Sequence, residues 1–403
     1  MSTFAAVMTA KGTGAIATIQ VFGGSSKAII KKIFKPAGEK PADFKTGKIL
    51  LGTIIDGTEP RPSEGRGETI DQVTIGCESP NSLAIHCHGN PLIVEMIMQL
   101  LARHGVTLLT ADELLAKVLS CEKHINTIEL EAKLTQPKAL TLEGTKIIAN
   151  QINTGLNKKA QEWSKNINKI SLNGIKTEAS EILKNSKTAK LIIAGCSAVL
   201  AGPPNTGKST LLNCLCGRQK AIVTPIAGTT RDWVSARCQI GPLSVELFDT
   251  AGLDEKLTLT SEDTIEKASQ QKSIEILDRA DLILLVLDNS LHADQLDEKL
   301  LEKIAGKLVL TVLNKSDLPE KLEARRLSKV LVDKVKISAK FGTGIEQLLK
   351  KIQQLFNVTD YNLKKIACFT HRQENLLKQL KKAKSKAQAT QIITELLNGR
   401  LSV

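Results

Sequence analysis

The segment Gly202-Pro-Pro-Asn-Thr-Gly207-Lys208-Ser209 has the spacing G-x-x-x-x-G-K-[ST]. Such a loop cradles phosphate. Its glycines let backbone N–H groups close around the anion, and the helix that follows adds partial positive charge at its N-terminus. Asn205, Thr206, Gly207, Lys208, Ser209 and Thr210 are the residues expected at the phosphates. Lys208 reaches the β- and γ-phosphates, and Ser209 ligates Mg²⁺. Asp249-Thr-Ala-Gly252 follows the apolar run Ser244–Phe248. That order places Asp249 to hold the same metal, directly or through water, and the Gly252 amide to meet the γ-phosphate. Asn314-Lys315-Ser-Asp317 follows Leu308–Leu313. A carboxylate at Asp317 accepts both N1–H and N2–H of guanine, which adenine cannot offer together. The backbone of Ser338-Ala339-Lys340 is then placed to meet guanine O6. Four motifs in this order predict a GTP-binding domain, and the order argues against an ordinary turn at Asn314–Asp317. Directly after Gly252 comes Leu253, where many GTPases carry a water-orienting Gln. An apolar side chain cannot orient water, so another group acts or turnover is slow.

These residues need a strand before the phosphate loop and a helix after it. Ala198–Ala201 is apolar, and Thr210–Leu215 reads as helical. Within residues 191–357, the runs Leu282–Leu287 and Leu308–Leu313 read as buried parallel strands alternating with helices. The expected fold there is an α/β P-loop GTPase domain with a doubly wound, mainly parallel sheet. Residues 118–190 turn helical and Lys-rich, with apolar residues at helical intervals over Glu129–Asn153 and Trp163–Leu183. Residues 358–403 are helical again and carry Lys378, Lys381, Lys382, Lys384 and Lys386. The G domain is therefore read as inserted in an α-helical domain. Residues 1–117 read as an α+β domain. Its strands fall at Ala15–Val21, Asp71–Gly76 and Ser82–His86, and its helices at Ser26–Phe34 and Asn90–His104. A Pro- and Gly-rich loop covers Gly57–Gly67.

Composition agrees with this organisation. At about 100–200 residues per domain, 403 residues predict two to four domains. Hydrophobic residues at 42% and charged residues at 24% exclude a wholly disordered chain. Lys+Arg at 55 against Asp+Glu at 42 gives +13. That excess favours a polyanionic partner, nucleic acid above all, against the alternative of a solvated Lys-rich surface. The longest apolar stretch, near Leu191–Leu200, is short of the ~20 residues a membrane span needs. Met1–Lys11 lacks a signal-peptide pattern. Eight Cys without a C-x-x-C pair suggest reduced thiols in the cytoplasm. In His86-Cys87-His88, neighbouring strand residues point to opposite faces, so the three cannot converge on one metal.

The stretches Pro204-Asn205-Thr206-Gly207-Lys208-Ser209, Thr224-Pro-Ile-Ala-Gly-Thr229-Thr230-Arg231-Asp232 and Asp249-Thr-Ala-Gly-Leu253 resemble the tRNA modification GTPase family called MnmE or TrmE. Thr3–Gly23, Pro80-Asn81-Ser82 and Ile85-His86-Cys87-His88-Gly89 are similar to signatures of its N-terminal, folate-binding-type domain. The likeness is strong over 197–345, fair over 1–123 and weak in the helical parts. It implies that K⁺ replaces an arginine finger, with Asn205, Thr224, Ile226 and Thr229 as its ligands. It implies Thr230 on Mg²⁺ and Glu266 positioning the attacking water, the alternative for Glu266 being an exposed helix charge. It further implies a homodimer joined across the nucleotide faces, an FAD-containing MnmG-type partner, and the wobble uridine (U34) of tRNA as target. Family members hold formyl-tetrahydrofolate through an Arg, a Glu and a basic residue. Here those positions are Gln20, Ala84 and Lys123, so two charged contacts are missing. The family ends in a Cys-bearing F-C-I-G-K tail, and this sequence has no Cys after Cys368. The departures raise an alternative: a diverged paralogue acting as a GTP-dependent switch in RNA or ribosome assembly, without modification chemistry.

Overall fold

The computed structural model describes residues 2–10, 12–38, 41–57, 68–121, 126–218, 235–249, 275–292, 298–323, 331 and 333–399. The chain divides into two compact units at Asn126/Thr127.

The first unit is built on a seven-stranded sheet. Its strands are β1 (Phe4–Val7), β2 (Ile16–Phe22), β3 (Phe34–Pro36), β4 (Ile49–Asp56), β5 (Glu68–Ser79), β6 (Ser82–His88) and β7 (Thr107–Leu108). They lie in the order β3-β4-β5-β6-β2-β1-β7, antiparallel except for the β1–β7 pair. Period-two alternation drives this arrangement. Ala17, Ile19 and Val21 of β2 and Leu83, Ile85 and Cys87 of β6 face one core, while their neighbours face away. Helices α1 (Ser26–Ile33) and α2 (Pro91–Arg103) cover that core with Ile29, Ile30, Ile33, Ile97, Leu100 and Leu101. Pro91 starts α2, where a missing N–H costs nothing, and the Asn90 side chain caps the Leu92 N–H at 3.0 Å. Helix α3 (Ala111–Ser120) opens on a capping box between Thr110 and Glu113. Most of the Gly57–Gly67 loop lies outside the described residues.

In the second unit, α4 (Thr127–Thr135), α5 (Leu142–Asn153), α6 (Leu156–Asn166) and α7 (Leu172–Ala194) precede the α/β segment. The helical pattern over Glu129–Asn153 is carried by two helices. Pro137 cannot sit in a helix interior, so the chain passes through a short 3₁₀ turn. Thr141 then caps α5 at the Gly144 N–H, 2.9 Å away. The helical pattern over Trp163–Leu183 is likewise interrupted, because Ser171 caps a new helix at the Gly174 N–H. The apolar stretch Leu191–Leu200 is not one element either. Gly195, at φ +78°, ends α7 and turns the chain into β8 (Cys196–Ala201).

The α/β segment continues with α8 (Lys208–Arg218), β9 (Ser235–Ile240), β10 (Leu243–Asp249), β11 (Leu282–Asp288), α9 (Glu298–Ile304), β12 (Val309–Asn314), β13 (Lys334–Lys336) and α10 (Ile345–Leu355). The sheet order is β13-β12-β11-β8-β10-β9, parallel except for β9. Every residue of β11 and β12 is buried, as expected of strands covered on both faces. Helices α11 (His371–Lys382) and α12 (Lys386–Asn398) follow, so the lysine run from Lys378 to Lys386 spans two helices joined at extended Ala383.

These last helices pack on those before the sheet. Buried Glu131 accepts hydrogen bonds from Thr370 Oγ1 at 2.7 Å, Arg372 Nη2 at 2.8 Å and Gln373 Nε2 at 2.7 Å. Ser186 Oγ accepts the Cys368 N–H at 2.8 Å. Two helical segments that flank the sheet in sequence thus form one bundle, with the α/β segment inserted between them in the chain.

Candidate nucleotide site

In the second sheet, β8 lies between β11 and β10, so the chain winds away from β8 in both directions. Open α/β sheets bind ligands at this switch point, at the carboxyl ends of the strands. The phosphate loop begins there. Gly202, at φ +140°, lies so close to the Val286 carbonyl of β11 that a Cβ would collide. Gly207, at φ +89°, is similarly pressed against the Asn314 side-chain amide. Both positions need glycine for conformation and for space. Asn205 takes the left-handed conformation at φ 60° and is exposed.

Lys208 is buried at 4% exposure, and its ammonium donates to the Gly202 and Pro203 carbonyls at 2.8 Å each. Phosphate oxygens are the stronger, charged acceptors that would replace these carbonyls. Ser209 Oγ donates to Asp249 Oδ2 at 2.7 Å, joining the start of α8 to the end of β10. The hydroxyl and the carboxylate are hard oxygen donors on adjacent elements, as Mg²⁺ requires. When bound, Mg²⁺ would neutralise charge between the β- and γ-phosphates. Thr210 is exposed in the first turn of α8.

Asn314 ties the phosphate loop to the loop that follows β13. It is 3% exposed. Its Nδ2 donates to the Thr206 carbonyl at 2.8 Å, and its Oδ1 accepts the Ala339 N–H at 2.9 Å. Lys315 sits at φ 60° and pairs with Asp288 Oδ2 at 2.6 Å. Burial pushes the Asp288 carboxyl up, but hydrogen bonds from Lys315 and Ser290 outweigh it and hold the group below the usual carboxylate range. Ser338 is fully buried, with its N–H on the Thr343 carbonyl at 3.0 Å. Asp317 and Lys340 are exposed, open to a ligand. Asp288 escapes motif reading, although an Asp closing the strand Leu282–Leu287 is visible in the sequence. Thr224, Ile226, Thr229, Thr230, Gly252, Leu253 and Glu266 lie outside the described residues.

A second expected site falls on the outer face of the first sheet. Register places Gln20 directly opposite Ala84, which in turn faces Gly76. The Gln20 amide donates to Glu78 Oε2 at 2.8 Å and Ser82 Oγ at 3.1 Å, and Ser82 Oγ donates to the same carboxylate oxygen at 3.0 Å. Where the resemblance expects a guanidinium and a carboxylate, the face carries an amide and a methyl, and the nearby charge is Glu78. Lys123 lies outside the described residues. On the same face His86 meets Thr18 Oγ1 at 3.0 Å, and His88 meets Asp71 at 2.7 Å. Cys87 points into the core, so the tripeptide divides between faces as expected.

Residues 197–315 match the family described as 50S ribosome-binding GTPase, and residues 3–113 match the family described as GTP-binding protein TrmE N-terminus. The tRNA modification GTPase MnmE of Clostridioides difficile is 30% identical over 388 residues, spanning 88% of this chain and 81% of that protein. The chain belongs to the MnmE family. MnmE of Bacillus subtilis is 30% identical over 392 residues, spanning 88% of this chain and 83% of its own. Among solved structures, Aquifex aeolicus Era bound to GDP·AlF4⁻ is 29% identical over 40% of this chain and 56% of that chain, with a TM-score of 0.30. The sheet carrying β8–β13 is thus the GTP-binding GTPase domain of an MnmE-family chain, and GTP and Mg²⁺ are its ligands. Among the described residues, no helix is long and apolar enough to cross a membrane.

Proposed function

We propose that this chain hydrolyses GTP in support of modification of the wobble uridine of tRNA. It does so as a cytoplasmic homodimer with an FAD-containing MnmG-type subunit. The observation that carries the GTPase half is Asn314, whose two hydrogen bonds hold the phosphate loop and the Ser338-Ala339-Lys340 loop in one frame. The tRNA half rests on family membership. K⁺, held by Asn205, Thr224, Ile226 and Thr229, would compensate charge developing between the β- and γ-phosphates. Thr230 would complete the Mg²⁺ shell, Gly252 would meet the γ-phosphate, and Glu266 would position water. GTP hydrolysis measured in KCl and in NaCl tests this scheme. Faster turnover in K⁺ is expected, and equal rates overturn the K⁺ role.

A second reading is favoured by Gln20 and Ala84. They leave the sheet face without the charges expected to hold formyl-tetrahydrofolate. On this reading the chain is a GTP-dependent switch in RNA or ribosome assembly. Complementation of a strain lacking the modification, with the wobble nucleoside measured by mass spectrometry, separates the two. Restored modification supports the first reading, and its absence supports the second.

A further inference from the structure

We propose that the cleft between α7 and α11 is a binding surface for the phosphodiester backbone of RNA. The cleft has a volume of about 370 Å³, with Leu183 on α7 among its lining residues. Lys187 and Lys190 line it from α7, and Lys378, Lys381 and Lys382 from α11. The single carboxylate lining it is Glu374, which both Lys190 and Lys378 grip. Those two contacts hold the Glu374 carboxyl down at about 2. One negative charge is thus shared between two lysines. Lys187, Lys381 and Lys382 remain exposed, with no carboxylate within 4 Å among the described residues.

The arrangement suits a chain of phosphates better than one small anion. From Leu183 to Lys190 the α7 edge runs about 10 Å, and lysines line the cleft from both sides, Lys187 and Lys190 on α7 and Lys378, Lys381 and Lys382 on α11. A second groove shares Lys187 and is lined by Lys184 and Lys365 against one carboxylate, Asp360, so lysines outnumber carboxylates there as well. A membrane surface is less well matched. None of the exposed large apolar side chains lies on α7 or α11 to enter a bilayer. Recognition would be by charge and largely independent of sequence.

The identity of the RNA rests on the tRNA reading above, and the test separates the two. Labelled tRNA is titrated with the full chain over a range of KCl, followed by fluorescence anisotropy. The substitutions Lys187→Gln, Lys381→Gln and Lys382→Gln are combined in one variant. A control variant combines Lys31→Gln, Lys32→Gln and Lys35→Gln, three exposed lysines of the first unit. The cleft variant should bind roughly ten-fold or more weakly and lose about 2–3 from the slope of log affinity against log salt, since each phosphate contact contributes ~0.7–0.9. GTP hydrolysis without RNA should be unchanged. Undiminished binding by the cleft variant, or an equal loss in the control, overturns the cleft while leaving tRNA as partner. Failure of the unsubstituted chain to bind tRNA overturns both. Tighter binding to phosphatidylserine vesicles than to tRNA overturns the RNA assignment.

Discussion

The nucleotide loops and the outer face of the first sheet differ in what each asks of the sequence. At the loops, recognition of a nucleotide would fall largely to backbone groups, and side chains hold that backbone in place. Gly202 and Gly207 admit no Cβ, and Asn314 ties two loops together. A change at any of these disturbs the loop itself. On the sheet face, recognition would depend on outward-pointing side chains alone. The sheet is held by inward residues such as Ile19, Val21, Leu83 and Ile85, while Gln20 and Ala84 stand on the opposite face. A binding function built on outward side chains can be lost while the scaffold persists. One built on a loop frame is lost together with its geometry.

The largest effect that sharpens this contrast belongs to Lys208→Ala. It removes the cation proposed to meet the phosphates, and charge-assisted hydrogen bonds are worth about 1.5–3 kcal/mol each. GTP affinity should fall on the order of 100-fold, read by nucleotide titration, while the bundle of α4–α7 keeps its helical signal. Next is Asn314→Ala, which strands the Thr206 carbonyl and the Ala339 N–H in a buried place. It should cost about 2–3 kcal/mol in thermal or denaturant unfolding and weaken GTP binding as well. If binding falls with no loss of stability, Asn314 is a ligand contact and not the tie between loops.

The site was legible in the sequence where spacing alone encodes a backbone shape. The Gly202–Ser209 loop, Asp249, Asn314–Asp317 and Ser338–Lys340 all lie at strand ends of one sheet. What escaped depended on partners distant in sequence. Nothing near Asp288 announces its pairing with Lys315, and nothing near Gln20 announces Glu78, because β2 meets β5 residues only through the sheet's register. The inserted arrangement was readable from texture, since apolar runs of six or seven residues contrast with helical spacing on either side. Helix boundaries were less so. The apolar pattern runs through Pro137 and across Ser171, and only the local chemistry of a missing N–H and a capping hydroxyl breaks it.

A smaller effect tests the base side of the loops. The Asp288 carboxyl lies below its ordinary value because Lys315 and Ser290 donate to it, against the pull of burial. A carboxylate lowered in this way contributes stability above its unfolded value of about 4, and loses it as pH falls through the folded value. Asp288→Asn should therefore lower stability by about 1 kcal/mol at neutral pH and flatten the acid limb below about pH 4. Unfolding midpoints from pH 7 down to pH 2 check this. An unchanged acid limb would mean that Lys315 is held by the loop alone.

The smallest effect addresses the sheet face directly. Gln20→Arg places a guanidinium beside Glu78, and an ion pair at such a partly exposed site adds about 0.2–1 kcal/mol. The gain should appear as a small rise in unfolding temperature. Calorimetric titration with formyl-tetrahydrofolate should give no saturable heat for the unsubstituted chain, because the amide is already engaged and no guanidinium stands there. Gln20→Arg alone should not create binding, since Ala84 still offers no carboxylate across the strand pair. Saturable binding by the unsubstituted chain would break the contrast. The face would then recognise the ligand through His86, His88 or residues beyond the strand pair, and its outward side chains would have kept a function that Gln20 and Ala84 alone do not reveal.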